Sequence, residues 1–245
     1  MTMHPFRLIA HRGASVRAPE NTLPAFHAAR ETGSREIETD AQLTTDGALV
    51  LCHDATLARY GHGDRRVEEC SLAELMDLDF GFWFSPSFAG VRLLLLEDLL
   101  ESFGTHFIFH IELKGTHPLL PTQTLDLVQR KELENRCIFT SFSPEQLFRA
   151  RRHSPTARLG WLVPSITSEV LQIARECNLF QICPEAANVT RETVREALEA
   201  VAEVRAWGCP RHPLNARETI QKVRNAGCCG ITIDEPLWAT SPEVQ

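Results

Sequence analysis

Short apolar runs alternate with longer amphipathic stretches along most of this chain. Leu8-Ile9-Ala10 is a compact apolar run that fits a buried strand and ends in His11-Arg12-Gly13. After a loop, Asn21 or Thr22 is placed to cap a helix reaching about Thr32. Leu23, Phe26 and Ala29 share one face of that helix, and Gly33 stops it. A strand is predicted over 36–40. From residue 96 the rhythm becomes regular. Helices are predicted over 96–103, 122–133, 144–153, 167–177, 191–200 and 215–226, and strands over 107–113, 137–141, 158–162, 179–183, 202–207 and 230–233.

That makes eight strands alternating with helices, which implies a parallel sheet. Eight such units in 245 residues predict an α/β fold, a (β/α)₈ TIM barrel occupying the chain as one domain. A doubly wound open sheet is the competing arrangement. It loses support because no Gly-x-Gly-x-x-Gly follows the first strand. Residues 55–95 break the alternation with four glycines and five phenylalanines and tryptophans, and read as an insertion carrying one short helix over 71–78. Ser71 with Glu74 three residues later is a capping box for that helix.

Composition narrows the function classes. The formal net charge is −7 with no basic block, which argues against nucleic acid as a partner. No apolar run is long enough to span a bilayer, and the first residues do not read as a signal peptide, so a cytoplasmic location is expected. Eight cysteines with no Cys-x-x-Cys spacing read as small buried hydrophobes rather than as a zinc or redox site.

The chemistry gathers between residues 35 and 54. Glu38 and Asp40 lie two apart on a strand and therefore share a face. A turn at Thr45-Asp46-Gly47 and an apolar run over 48–52 return His53-Asp54 towards them. In a barrel the active site lies at the C-terminal ends of the strands. The first strand ends in His11 and Arg12, the second carries Glu38 and Asp40, the third ends in Glu112 and Lys114, and Trp207 and Asp234 close the seventh and eighth. Three carboxylates make a hard oxygen site suited to Mg²⁺ or Ca²⁺; the competing reading is separate ion pairs with Arg12, Lys114 and Arg35. Arg12 and Lys114 suit an anionic substrate, most simply a phosphate ester, or else balance the acids. His11 and His53 are the natural acid–base pair. His110 shares a strand face with Glu112 and is a further possibility. Trp207 reads equally as an apolar wall for a substrate's carbon part or as a core tryptophan.

At these residues the chain closely resembles the glycerophosphodiester phosphodiesterase family. The match runs through HRGASVRAPENTLPAF (residues 11–26), IETDAQLTTDGALVLCHDATLAR (37–59) and IELKG (111–115), with fainter echoes in TSFSPEQL, VRAWG and GITIDEP. The resemblance implies a TIM barrel with an insertion after the second strand. It implies a divalent metal on Glu38, Asp40 and Glu112, His11 and His53 as general acid and base, Arg12 and Lys114 on the phosphate, and Trp207 beside the substrate. The activity it implies is cleavage of glycerophosphodiesters, such as glycerophosphocholine or glycerophosphoethanolamine, to an alcohol and glycerol 3-phosphate. A phospholipase D-like enzyme acting on lysophospholipids and a non-catalytic phosphate-binding barrel are the alternatives. Gly208-Cys209-Pro210 stands where members of the family often carry Thr-Val-Asn, and residues 91–96 replace a common Ile-Pro-Thr-Leu; both departures fall on loops placed to meet the substrate's alcohol.

Overall fold

The apolar runs of the sequence become the staves of a closed barrel. The chain is described from a computed structural model covering residues 6–239. Nine strands form one sheet: β1 Arg7–His11, β2 Glu36–Leu43, β3 Leu49–Leu51, β4 Ile108–Leu113, β5 Cys137–Ser141, β6 Leu159–Val163, β7 Gln181–Pro184, β8 Glu203–Ala206 and β9 Gly230–Ile233. All except β3 pair in parallel around a ring that closes where β1 joins both β2 and β9. The helices α1 Leu23–Glu31, α2 Leu72–Met76, α3 Leu96–Phe103, α4 Leu120–Arg130, α5 Pro144–His153, α6 Ser168–Glu176, α7 Arg191–Ala197 and α8 Pro213–Ala226 link the strands, α2 lying within the insertion. The expected (β/α)₈ barrel is therefore the observed one.

The main apolar core lies between barrel and helices. Ile37, Phe109, Phe139, Ile182, Val204 and Ile231 pack with Phe26, Phe103, Leu127, Leu147, Val194 and Val223 in one cluster. The alternating positions turn into the barrel, where the lining is unusually polar: Glu36, His110, Thr140, Gln181 and Arg205 are all buried. Burying such groups costs least where they satisfy one another. His110 Nε2 meets Glu36 Oε2 at 2.9 Å, Arg7 donates to Glu203 at 2.5 Å, and Gln181 donates to Glu203 at 2.9 Å.

Local contacts settle two of the boundaries. The second strand runs on to Leu43 because β3 pairs back on it antiparallel, with Ala41 opposite Leu51. Thr22, not Asn21, is the N-cap of α1, without a side-chain capping bond; Asn21 spends its side chain elsewhere. The insertion folds on a small core of its own, in which Leu57, Tyr60, Val67, Leu75, Phe80 and Leu93 pack with Val50 and Cys52 of the hairpin. The capping box at Ser71 and Glu74 forms as expected. Among the described residues no helix is long and apolar enough to cross a membrane.

Candidate active site

Parallel register alone assembles the three acids. Glu38 lies opposite His110, and Asp40 opposite Glu112, across the β2–β4 pair. One carboxylate oxygen from each of Glu38, Asp40 and Glu112 falls within 4.8 Å of the others, and all three side chains are buried. Burial, with Asp40 and Glu112 alongside, holds the Glu38 carboxyl well above the usual carboxylate range. Burial and Asp40 likewise bring Glu112 to about 7. Asp40 is buried too, but Arg12, His53 and Lys114, together with the Asn21 amide, hold it below the ordinary value. Glu38 Oε2 and Asp40 Oδ1 are buried with no hydrogen-bond partner among the described residues. Acceptor oxygens gathered in this way, with lone pairs to spare, suit a hard divalent cation.

Arg12 and Lys114 flank the trio. Arg12 Nε lies 3.2 Å from Asp40 Oδ2, and its Nη1 donates to Glu20 Oε1 at 2.8 Å. Lys114 Nζ is 3.1 Å from Glu112 Oε1 and 4.0 Å from Asp40 Oδ1. The loop that presents Arg12 is set by unusual backbone. Arg12 and Asn21 both take the left-handed conformation, at φ 56° and 58°, and the Asn21 N–H donates to the Arg12 carbonyl at 3.0 Å. Gly13 follows at φ 85°, and a Cβ there would lie 2.6 Å from the Ala25 carbonyl carbon. The His-Arg-Gly triplet therefore needs its glycine to pack against α1.

Each candidate histidine is clamped by an aspartate. His11 Nδ1 meets Asp234 Oδ1 at 2.5 Å, and His53 Nδ1 meets Asp54 Oδ1 at 2.7 Å. An ionised carboxylate only accepts, so Nδ1 carries the proton in both rings and Nε2 is left as the free nitrogen. His11 Nε2 lies 3.9 Å from Glu38 Oε2. Asp54 is itself gripped by Arg59 through two 2.8 Å bonds, and Arg59 also reaches Glu20 at 3.1 Å. Burial pushes the His53 pKa down, with Arg12 and Lys114 adding to it against Asp40 and Asp54. Asp234 stays ionised down to about 2, because His11 and Arg211 outweigh its burial.

His11, Arg12, Glu38, His53, Glu112 and Trp207 line one cavity of about 270 Å³ at the C-terminal mouth of the barrel. Asp40 sits behind this lining, and Lys114 borders an adjoining groove beside Glu112. The eight residues singled out from the sequence are thus brought together. Trp207 is a wall: its Nε1–H donates to the Val163 carbonyl at 3.1 Å, and its ring meets Phe142 edge-on at 5.2 Å. His110 shares Glu112's face but is spent on Glu36, deeper in the barrel, and does not line the cavity.

Five residues with a clear part in this geometry escaped the sequence reading. Glu20 and Asn21 stood within the Pro-Glu-Asn-Thr stretch, and Asp54 stood beside His53, so adjacency could have flagged them. Arg205 was marked by its position, a charged residue between Val204 and Ala206 in a buried strand. It donates to Gln181 at 3.3 Å and to Thr232, while its Nη2 is buried without a partner among the described residues. Arg211 carried no local signal at all.

Comparison with known proteins gives the family. The model of the glycerophosphoryl diester phosphodiesterase family matches residues 11–237. The chain belongs to this family. It is an enzyme of that class, and the resemblance drawn from its motifs holds across the barrel. A glycerophosphodiester phosphodiesterase from Caldanaerobacter subterraneus subsp. tengcongensis is 31% identical over 233 residues, 94% of each chain. One from Bacillus subtilis is 27% identical, covering 93% of this chain and 83% of its own. Among solved structures, a phosphodiesterase from Oleispira antarctica in complex with the product sn-glycerol-3-phosphate superposes with a TM-score of 0.86 at 26% identity, covering 96% of this chain and 95% of that one. The glycerophosphodiester phosphodiesterase of Agrobacterium tumefaciens superposes with a TM-score of 0.80 at 25% identity, covering 96% and 98%.

Proposed function

We propose that the chain hydrolyses glycerophosphodiesters to an alcohol and glycerol 3-phosphate, using His11 and His53 as the acid–base pair and a divalent metal on Glu38, Asp40 and Glu112. The observation that carries this reading is the pair of aspartate-clamped imidazoles beside three converging carboxylates in one cavity. A barrel that only bound phosphate would have no use for two imidazoles with fixed tautomers. The glycerol 3-phosphate held by the Oleispira antarctica structural relative supports the same product here.

The acids fit a hard cation, either Mg²⁺ or Ca²⁺, which when bound supplies a Lewis acid for the phosphoryl oxygens. Arg12 and Lys114 are placed beside the same trio, where they neutralise phosphate charge from the protein's side. His53, held neutral by burial and its cationic neighbours, removes the proton from the attacking oxygen. His11 acts as the acid from its doubly protonated form, giving an Nε2 proton to the departing alcohol oxygen while its Nδ1–H stays on Asp234. Trp207 and Phe142 wall the side where the carbon part of the substrate lies. The eight cysteines are unpaired, six of them buried, which fits the reducing cytoplasm.

The test is release of glycerol 3-phosphate from a panel of glycerophosphodiesters, by the wild type and by His11→Ala and His53→Ala. Each variant is expected to lose about 10²–10⁴-fold in kcat. A loss under about tenfold in either would remove that histidine from the acid–base pair.

A further inference from the structure

One wall of the cavity is built by the segment after β8, two strands round the ring from β1, where the chain departs from the Thr-Val-Asn common in its family. Trp207 and Gly208-Cys209 line it, and Arg211 follows two residues on. Arg211 lines the same cavity with a side chain 62% exposed, anchored at Nε by donation to Asp234 Oδ2 at 2.5 Å. The paired carboxylate has little to offer a ligand. Asp234 is 5% exposed, and its two oxygens are taken by His11 and Arg211. A molecule passing Trp207 therefore meets the guanidinium and not the acid beneath it. The next residue repeats the pattern, since buried Glu235 is held by the more exposed Arg17.

No other acid lining the cavity is positioned to balance this charge. Glu38 and Glu112 belong to the trio. Glu185 lies under Gly208 but accepts from Asn188 at 3.2 Å and does not line the cavity. Arg12 and Arg205 add two more cations to the lining. The aromatic wall is also compromised as a cradle for a cation, because Lys114 Nζ already lies 5.6 Å from the Phe142 ring centre.

We infer that the preferred substrate is a glycerophosphodiester whose alcohol carries a negative charge, a carboxylate or a second phosphate gripped by Arg211. The inference rests on the phosphodiesterase reading above. A guanidinium fork matches either anion with two parallel hydrogen bonds. A choline or ethanolamine head would instead be carried against like charge, which discriminates as strongly as the attraction does.

Glycerophosphoserine and glycerophosphoethanolamine differ by a single carboxylate and make the test. In the wild type kcat/KM is expected to be about tenfold higher for the serine diester, the size of one charge-assisted hydrogen bond. Arg211→Gln should bring the ratio near one, and Arg211→Glu should reverse it, chiefly through KM. Both variants also unclamp Asp234 and so lower kcat for the two substrates alike; the ratio cancels that loss. A wild-type ratio at or below one, or a ratio unmoved by both variants, overturns the inference. If the wild type cleaves neither substrate nor any other glycerophosphodiester, the phosphodiesterase reading itself falls, and this inference with it.

Discussion

Asp234 shows how much one buried residue can carry. It fixes the His11 ring, holds Arg211, and keeps its own charge down to about 2. Its folded value lies below the ordinary 3.8, so its contribution to stability is complete above that value and is lost as the pH falls through about 2. Asp234→Asn is expected to cost about 2 kcal/mol at pH 7 and about half of that at pH 3. Urea unfolding at the two pH values measures this; an equal cost at both would mean that the charge contributes nothing. His53 permits a kinetic prediction. Burial and neighbouring cations depress it from 6.5, so it sheds its proton at lower pH and is ready as a base throughout the neutral range. With the metal saturating, so that Glu38 and Glu112 are ionised, the acid limb of kcat/KM should fall below 6.5 in the wild type. A limb above that value would contradict His53 as the base.

At the scale of elements, the β2–β3 hairpin does most of the positioning. The Cys52 N–H donates to the Asp40 carbonyl at 3.0 Å, which ties the residue before His53 to a member of the acid trio. The outer side of this hairpin is covered by the insertion, whose small core includes both Val50 and Cys52. The insertion is thus a buttress for His53 as well as a surface excursion. Leu75, fully buried in that core, tests the point. Leu75→Ala should destabilise by about 2–5 kcal/mol, because the cavity adds to the lost transfer energy. It should also lower kcat although Leu75 lines no part of the active-site cavity. The thermal midpoint and kcat, measured together, check this; a stability loss with unchanged kcat would leave the insertion a passive cover. The β1–α1 turn offers a parallel case. Gly13→Ala must bring a Cβ to 2.6 Å from the Ala25 backbone at a positive φ, and should lose stability and activity together by displacing Arg12.

At the scale of the whole molecule, the barrel was legible because its strands announce themselves twice. Ile37 is apolar outwards while Glu36 and Glu38 are polar inwards, and similar alternation marks β4 and β8. Once the strands were placed, the C-terminal ends put His11, Arg12, Glu38, Asp40 and Glu112 at one mouth without further assumption. The clamps around them were less legible. His11 and Asp234 are 223 residues apart and meet because β9 closes against β1. Arg205 reaches Thr232 on the neighbouring strand β9, a contact that periodicity along one strand cannot reveal. Helix ends shifted by a few residues for local reasons, as where Glu132 takes a positive φ and α4 ends at Arg130. The polar interior as a whole surrounds the acid trio with Arg12, Lys114 and Arg205. That charge balance makes the trio tolerable in the protein yet still leaves acceptor oxygens unpartnered.

The central claim is that these acceptors hold the metal on which cleavage depends, and metal add-back tests it most directly. The enzyme is stripped with EDTA, dialysed, and assayed for glycerol 3-phosphate release from glycerophosphoserine as Mg²⁺ or Ca²⁺ is returned. Activity is expected to vanish on stripping, to return with at least one of the two ions, and to be lost in Glu38→Gln and Glu112→Gln at every metal concentration. Full activity in the stripped enzyme, or in either variant, would contradict the three-carboxylate site.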